Sequence, residues 1–270
     1  MTITIGINGF GRIGRCVTRA LIESGRRDLR LVAINSRSDI NIAAHLLRHD
    51  STHGKFSAPL EVRGQSLIID NHEIPYSQCA APGELDWRAA GVHLVLECSG
   101  KFTARADAEH HLSAGAQQVL VSAPSPGADA TVVYGVNDSI LRGGNCHIVS
   151  AASCTTNCLA PPAQILHDNF GIDNGWMTTI HAVTNDQKIL DESHQDLRRA
   201  RAAGNSIILT ETGAAAAVGL VIPALAGKLS GISARVPVTN VSLVDLTCQL
   251  ATDTDADTIN AAFHRAVAAM

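Results

Sequence analysis

Aromatic side chains are nearly missing from this chain: they make up 3% of its 270 residues, although 46% are hydrophobic. Its cores must therefore be assembled from alanine, valine, leucine and isoleucine, the composition of α/β proteins with buried parallel strands. Charge is sparse as well. Charged residues account for 17%, the formal net charge is −4, and no Lys/Arg-rich run stands out beyond Arg198-Arg199-Ala200-Arg201. That balance excludes a broad polyanion-binding face, and with it a nucleic-acid partner, while the short run suits a small anion. No apolar stretch approaches the ~20 residues that span a bilayer. The N-terminus also lacks a basic segment followed by a long apolar one, so the expectation is a cytoplasmic protein that neither enters a membrane nor is exported. The seven cysteines include no Cys-x-x-Cys pair and no metal-ligand spacing, and an odd number cannot all pair within one chain. Reduced thiols and no bound metal are expected.

What is present begins at once. Residues 2–8 alternate β-branched positions and run into Gly9-Phe10-Gly11-Arg12-Ile13-Gly14, after which residues 15–23 have the pattern of an amphipathic helix. Strand, glycine turn and helix in that order make a dinucleotide cradle. Gly9, Gly11 and Gly14 let the backbone turn and approach a pyrophosphate, and the helix start at Arg12 and Ile13 offers it N–H donors. A second strand, 29–35, completes the unit. An acid at its end would bind both ribose hydroxyls of NAD, but the chain has Asn35-Ser36-Arg37-Ser38 there. Ser36 and Ser38 can donate to a 2′-phosphate and Arg37 can pair with it, which favours tolerance of NADP. Two further apolar runs, 92–100 and 118–124, read as buried parallel strands whose ends, at Ser99 and Ser122, line the same crevice.

The second concentration of chemistry is Ser153-Cys154-Thr155-Thr156-Asn157-Cys158. It follows an apolar run, 147–150, and precedes a helix-like one, 159–170, which puts Cys154 at a helix N-terminus. Free N–H groups and the positive end of the helix dipole there favour the reactive thiolate. A lone cysteine is more often a small buried hydrophobe, and Cys158, one turn further on, is read that way.

Taken together these segments resemble the phosphorylating glyceraldehyde-3-phosphate dehydrogenase family along nearly the whole chain. The match rests on residues 6–15, Ser122-Ala123-Pro124-Ser125, the cysteine box, Met177-Thr178-Thr179-Ile180-His181-Ala182, residues 196–203, Thr212-Gly213-Ala214-Ala215, Arg235-Val236-Pro237 and residues 240–246. The resemblance implies an α/β protein with a Rossmann-type dinucleotide domain of mainly parallel sheet, residues 1–153, and an α+β catalytic domain with a mixed or antiparallel sheet, residues 154–270. It implies that Cys154 attacks the aldehyde of a phosphorylated substrate and that His181 serves as its base. Thr184 and Arg235 would hold the substrate's own phosphate, and Ser153, Thr155, Thr212 and Gly213 the attacking inorganic phosphate. The cofactor would be NAD or NADP, and Ser193, where NAD-specific members carry proline, resembles the NADP-using forms. Homotetramers built through the catalytic sheets are usual in the family.

The chain also departs from the family. It stops at Met270, where the resemblance implies further strands, an asparagine for the nicotinamide carboxamide and a terminal helix. It has Ala216 in place of lysine, Leu209 in place of proline, and an extra Pro162, expected to weaken or kink a helix. Two neighbouring readings follow: an erythrose-4-phosphate dehydrogenase, from which Thr212-Gly213-Ala214-Ala215 points away, and a catalytically impaired dinucleotide-binding or oligomerising relative.

Overall fold

The strand at the centre of the larger sheet, β1 (Ile3–Asn8), is built from isoleucine and threonine, which fit a pleated surface buried on both sides. The computed structural model describes residues 2–268, which form two compact units. One unit runs to Thr131 and includes Ile140–Ala152; the other takes Val132–Ser139 and everything from Ser153 on.

In the first unit β1 is followed by α1 (Arg12–Glu23), β2 (Leu29–Asn35) and α2 (Ile40–Arg48). A small hairpin, β3 (His49–Asp50) and β4 (Gly54–Lys55), leads into β5 (Leu60–Arg63), β6 (Ser66–Ile69) and β7 (His72–Ser77). Then come β8 (Leu94–Glu97), α3 (Arg105–Ser113), β9 (Gln118–Val121), β10 (Ala130–Thr131) and β11 (Ile148–Ser150). The nine-stranded sheet has the order β10-β11-β9-β8-β1-β2-β7-β6-β5. Pairing is parallel from β10 to β7 and antiparallel over β7-β6-β5. The chain leaves β1 towards β2 on one side and returns beside it as β8, so the strand order switches at the C-terminal end of β1, where open α/β sheets bind ligands. Two apolar clusters cover the sheet. Ile5, Ile7, Leu31 and Ile34 pack with Ala43 and Leu47 of α2, while Ala33, Val95 and Val119 pack with Trp87 and Ala108 of α3.

Helix α1 starts at Arg12, three residues before the apolar periodicity begins. Its first turn shows only arginine, isoleucine and glycine to the pattern, so the backbone turns helical earlier than the side chains signal.

The second unit holds α4 (Cys154–Phe170), β12 (Ile172–Ala182), β13 (Ile208–Glu211), α5 (Ala214–Val221), β14 (Leu229–Val236), β15 (Leu243–Leu250) and α6 (Ala256–Ala268). Its mixed sheet has the order β13-β14-β12-β15, with only β12 and β14 parallel. Met177, Thr179 and His181 are buried on one face of β12, and Trp176 and Ile180 stand exposed on the other. Helix α4 packs against both α5 and α6 and continues through Pro161 and Pro162.

Candidate active site

Ala152, two residues beyond β11, has φ 58°, the left-handed region that costs a non-glycine residue ~1–3 kcal/mol. Immediately after it Ser153 caps α4: its hydroxyl accepts from the Thr156 N–H at 3.0 Å and lies 2.7 Å from the Thr156 hydroxyl. Cys154 is then the first helical residue, with an exposed edge.

His181, on the buried face of β12, brings Nε2 to 3.2 Å from the Cys154 sulfur. That contact is the largest influence on the thiol. Helped by the hydroxyl and backbone N–H of Thr155, it outweighs partial burial and draws the Cys154 pKa down to about 7. At its other nitrogen, Nδ1, His181 meets the Ala182 carbonyl oxygen at 2.6 Å and also the Arg235 guanidinium. One partner accepts and the other donates, so the ring proton has two settings. On Nδ1 it is donated to Ala182, and Nε2 presents a lone pair to the thiol. With Arg235 donating to Nδ1, the proton sits on Nε2 and is donated to sulfur.

Arg235 is half-buried on β14, in register with His181. Burial pushes its pKa down, and so does the nearby charge of Arg199. Two guanidiniums that repel each other across a half-buried site attract an anion. Arg199 is held in turn. Its Nε donates to the Thr210 hydroxyl and its Nη1 pairs with Asp186, both at 2.7 Å. Asp186 is also 3.1 Å from Nε2 of His194, whose Nδ1 accepts from the Asp196 N–H at 2.9 Å. Of the arginines in residues 198–201, Arg199 is the one whose charge bears on Arg235, although it too is ion-paired, with Asp186. Arg198 is matched by Asp196 and Arg201 by Asp191. Asp186 and His194 escape a reading of the sequence because residues 183–207 carry no periodicity to orient them.

The residues expected to hold phosphates fall into two groups. Thr184 is exposed, and both its N–H and its hydroxyl donate to Gln187 Oε1, at 2.8 and 3.1 Å. Ser153 and Thr155 lie at the start of α4, and Thr212 and Gly213 at the start of α5. The two helix starts are tied together by the Thr156 hydroxyl, which donates to the Ala214 carbonyl at 3.2 Å, while the Thr212 hydroxyl accepts from the Ala214 N–H at 3.2 Å. Ser193 is exposed on its loop. Cys158 is a correction: it is exposed and does not pack in the core, because the face it occupies at the start of α4 is open.

The first unit carries the glycine cradle. A β-carbon at Gly14 would sit 2.2 Å from the Gly9 carbonyl oxygen, so the helix start packs directly onto the turn. Gly11 caps α1 with no side-chain bond and opens onto space, and the first turn holds no acid. Uncapped N–H donors and free room fit a pyrophosphate. Arg12 is turned to an ion pair with the buried carboxylate of Asp50, and Ile13 is exposed. Ser36 is buried, its N–H donating to the Ser77 carbonyl at 3.0 Å, and Arg37 is exposed. Asp39, the next acid along the chain, accepts from the N–H groups of Asn41 and Ile42 as the cap of α2. The Ser99 N–H and hydroxyl both go to Glu97. Ser122 is half-buried beside the Cys98 thiol, which burial pushes up to about 11. Among the described residues no helix is long and apolar enough to cross a membrane.

Comparison with known proteins gives matches for both units. The model of the glyceraldehyde 3-phosphate dehydrogenase NAD binding domain covers residues 3–105, and that of the same family's C-terminal domain covers residues 153–269. A glyceraldehyde-3-phosphate dehydrogenase of Pseudomonas aeruginosa is 56% identical over 96% of this chain and 78% of its own length. One from Geobacillus stearothermophilus is 50% identical over 98% of this chain and 79% of its own. One from Cereibacter sphaeroides is 52% identical over the same shares, 98% and 79%.

Proposed function

This chain belongs to the glyceraldehyde-3-phosphate dehydrogenase family, and on that footing we propose that it oxidises glyceraldehyde 3-phosphate to 1,3-bisphosphoglycerate through an acyl-enzyme on Cys154. The observation that carries this reading is the 3.2 Å contact between Cys154 and His181 at the head of α4.

The thiolate of Cys154 adds to the aldehyde carbon, and the protonated His181 donates to the developing alkoxide, giving a thiohemiacetal. His181, again neutral, then takes the hydroxyl proton as the carbon loses its hydride and becomes a thioester. The uncapped N–H groups at the start of α1 would hold the pyrophosphate of a nicotinamide dinucleotide, which when bound would supply the hydride acceptor. Inorganic phosphate, bound by donors at the joined starts of α4 and α5, attacks the thioester, and sulfur leaves as the thiolate. The two settings of the His181 ring proton suit it to both proton transfers, and Arg235 and Arg199 suit the phosphate the substrate carries. Ser36, Arg37 and Ser193 favour acceptance of NADP beside NAD, since no free carboxylate follows β2 to repel a 2′-phosphate.

The protein acts as a homo-oligomer, a tetramer by family likeness. Its support is an apolar row across the outer face of the smaller sheet, where Leu243, Ile180 and Leu209 are 54%, 41% and 51% exposed and linked by strand register.

Rapid mixing with glyceraldehyde 3-phosphate and either cofactor, followed at the reduced-nicotinamide absorbance, tests the proposal. A burst comparable to the protein concentration is expected, absent in Cys154→Ser. Folded protein that gives no burst with either cofactor would refute it.

A further inference from the structure

Beneath the glycine cradle lies a buried polar cluster that the chemistry above does not use. The side chains of Glu97 and His111 are both wholly buried and meet at 3.0 Å. Glu97, at the C-terminal end of β8, accepts from the Asn8 amide at 2.5 Å through the same oxygen that meets His111, and from the Ser99 N–H at 2.7 Å and the Ser99 hydroxyl through the other. A buried carboxylate is tolerated only when its lone pairs are matched in this way.

The state of His111 follows from its other neighbour. The Trp87 indole N–H is 2.9 Å from His111 Nδ1. An indole nitrogen only donates, so Nδ1 must be the acceptor and the ring proton sits on Nε2, aimed at Glu97. Trp87 therefore fixes a tautomer, the tautomer fixes Glu97, and Glu97 fixes Asn8 and Ser99. Those last two residues flank the cradle. Asn8 immediately precedes Gly9, which has φ 94° and whose missing β-carbon would lie 2.4 Å from the Ser99 nitrogen. The turn after β1 and the turn after β8 thus touch at backbone level, and one carboxylate bonds to both.

We infer that Glu97, locked by His111 and Trp87, is the positioning residue that holds the Asn8-Gly9 turn and the Ser99 turn as one rigid dinucleotide cradle. All three side chains are buried beneath the cradle, so they act by presetting its backbone. The inference rests on the dinucleotide reading of this unit and leaves the Cys154 chemistry aside.

Calorimetric titration of NAD and NADP into the full chain, with iodoacetamide alkylation of Cys154 in parallel, tests it. His111→Leu removes both the donor to Glu97 and the acceptor for Trp87, and is expected to weaken cofactor binding about tenfold or more, the cost of a lost hydrogen bond to a buried charge. His111→Gln, which keeps an amide donor, is expected to recover part of the affinity, and the alkylation rate should stay unchanged in both. Should His111→Leu fail to fold, Trp87→Phe keeps an aromatic ring in the core, removes the indole donor that fixes the tautomer, and is expected to weaken binding by a smaller factor. Unchanged cofactor affinity in folded His111→Leu or Trp87→Phe overturns the positioning role. An unaltered protein that binds neither cofactor overturns it too, but by removing the dinucleotide reading on which it stands.

Discussion

The lowered pKa of Cys154 owes more to the His181 imidazole than to the hydroxyl and N–H of Thr155. The His181 contact comes first among the influences that bring its pKa to about 7, so alkylation of Cys154 by iodoacetamide should rise with pH through a midpoint near that value. In His181→Ala the midpoint should move up toward the ~8.5 of an ordinary thiol. A midpoint that stays put would assign the shift to the helix start and Thr155 instead. At the other end of the reaction, Ser36→Asp should shift the preference toward NAD about tenfold or more, by setting a carboxylate against the 2′-phosphate. Ratios of kcat/KM for the two cofactors that match before and after the change would remove Ser36 from cofactor choice. Cys154 was singled out by its place at a helix start, and Arg235 only by the family resemblance. Partners were not: the Asp186–Arg199 pair and the His194 bond to Asp186 depend on a loop path that no local pattern encodes.

Helix starts are the elements that matter here, and each is set by a different device. Helix α4 has the Ser153 hydroxyl, α2 has the Asp39 carboxylate, and α1 has no side-chain cap at all, which leaves its N–H groups free for an anion. Asp39→Ala should therefore lower stability by about 1 kcal/mol, with Asp39→Ser keeping most of it, as read from urea midpoints. An unshifted midpoint in the alanine variant would show that α2 is held by packing alone. The same substitution removes the acid nearest to Ser36 in the chain, and because that acid is already engaged with α2, cofactor preference should not change. The strands β1, β2, β8 and β9 and the start of α4 follow from apolar runs in the sequence. The start of α1 does not, since its first turn lacks apolar periodicity, and neither does the passage of α4 through two prolines, which the packing of α4 against α5 and α6 stabilises.

For the molecule as a whole, the exposed row of Leu243, Ile180 and Leu209 on the smaller sheet is the feature that bears on assembly. Ile180→Lys places a charge in the middle of the row from Leu243 to Leu209 and should shift sedimentation velocity from an oligomer to a smaller species, with the far-ultraviolet dichroism unchanged. An unaltered protein that sediments as a monomer would end that reading, as would an assembly indifferent to the charge.

The sequence by itself determined the fold class and the kinds of chemistry. Alternating aliphatic runs, glycines at a turn and a cysteine between an apolar run and a helix-like one are local signals, and each acts over a few residues of backbone. What the tertiary structure decided is which distant groups meet and how closely: His181 at 3.2 Å from Cys154, a pair the family resemblance had implied without a distance, and, with no such hint, Asp186 with Arg199 and Trp87 with His111 and Glu97. Those pairings are made by strand register and by helices laid across a sheet, and hydrogen bonds lose their strength within a fraction of an ångström. Only a folded chain fixes distances that finely.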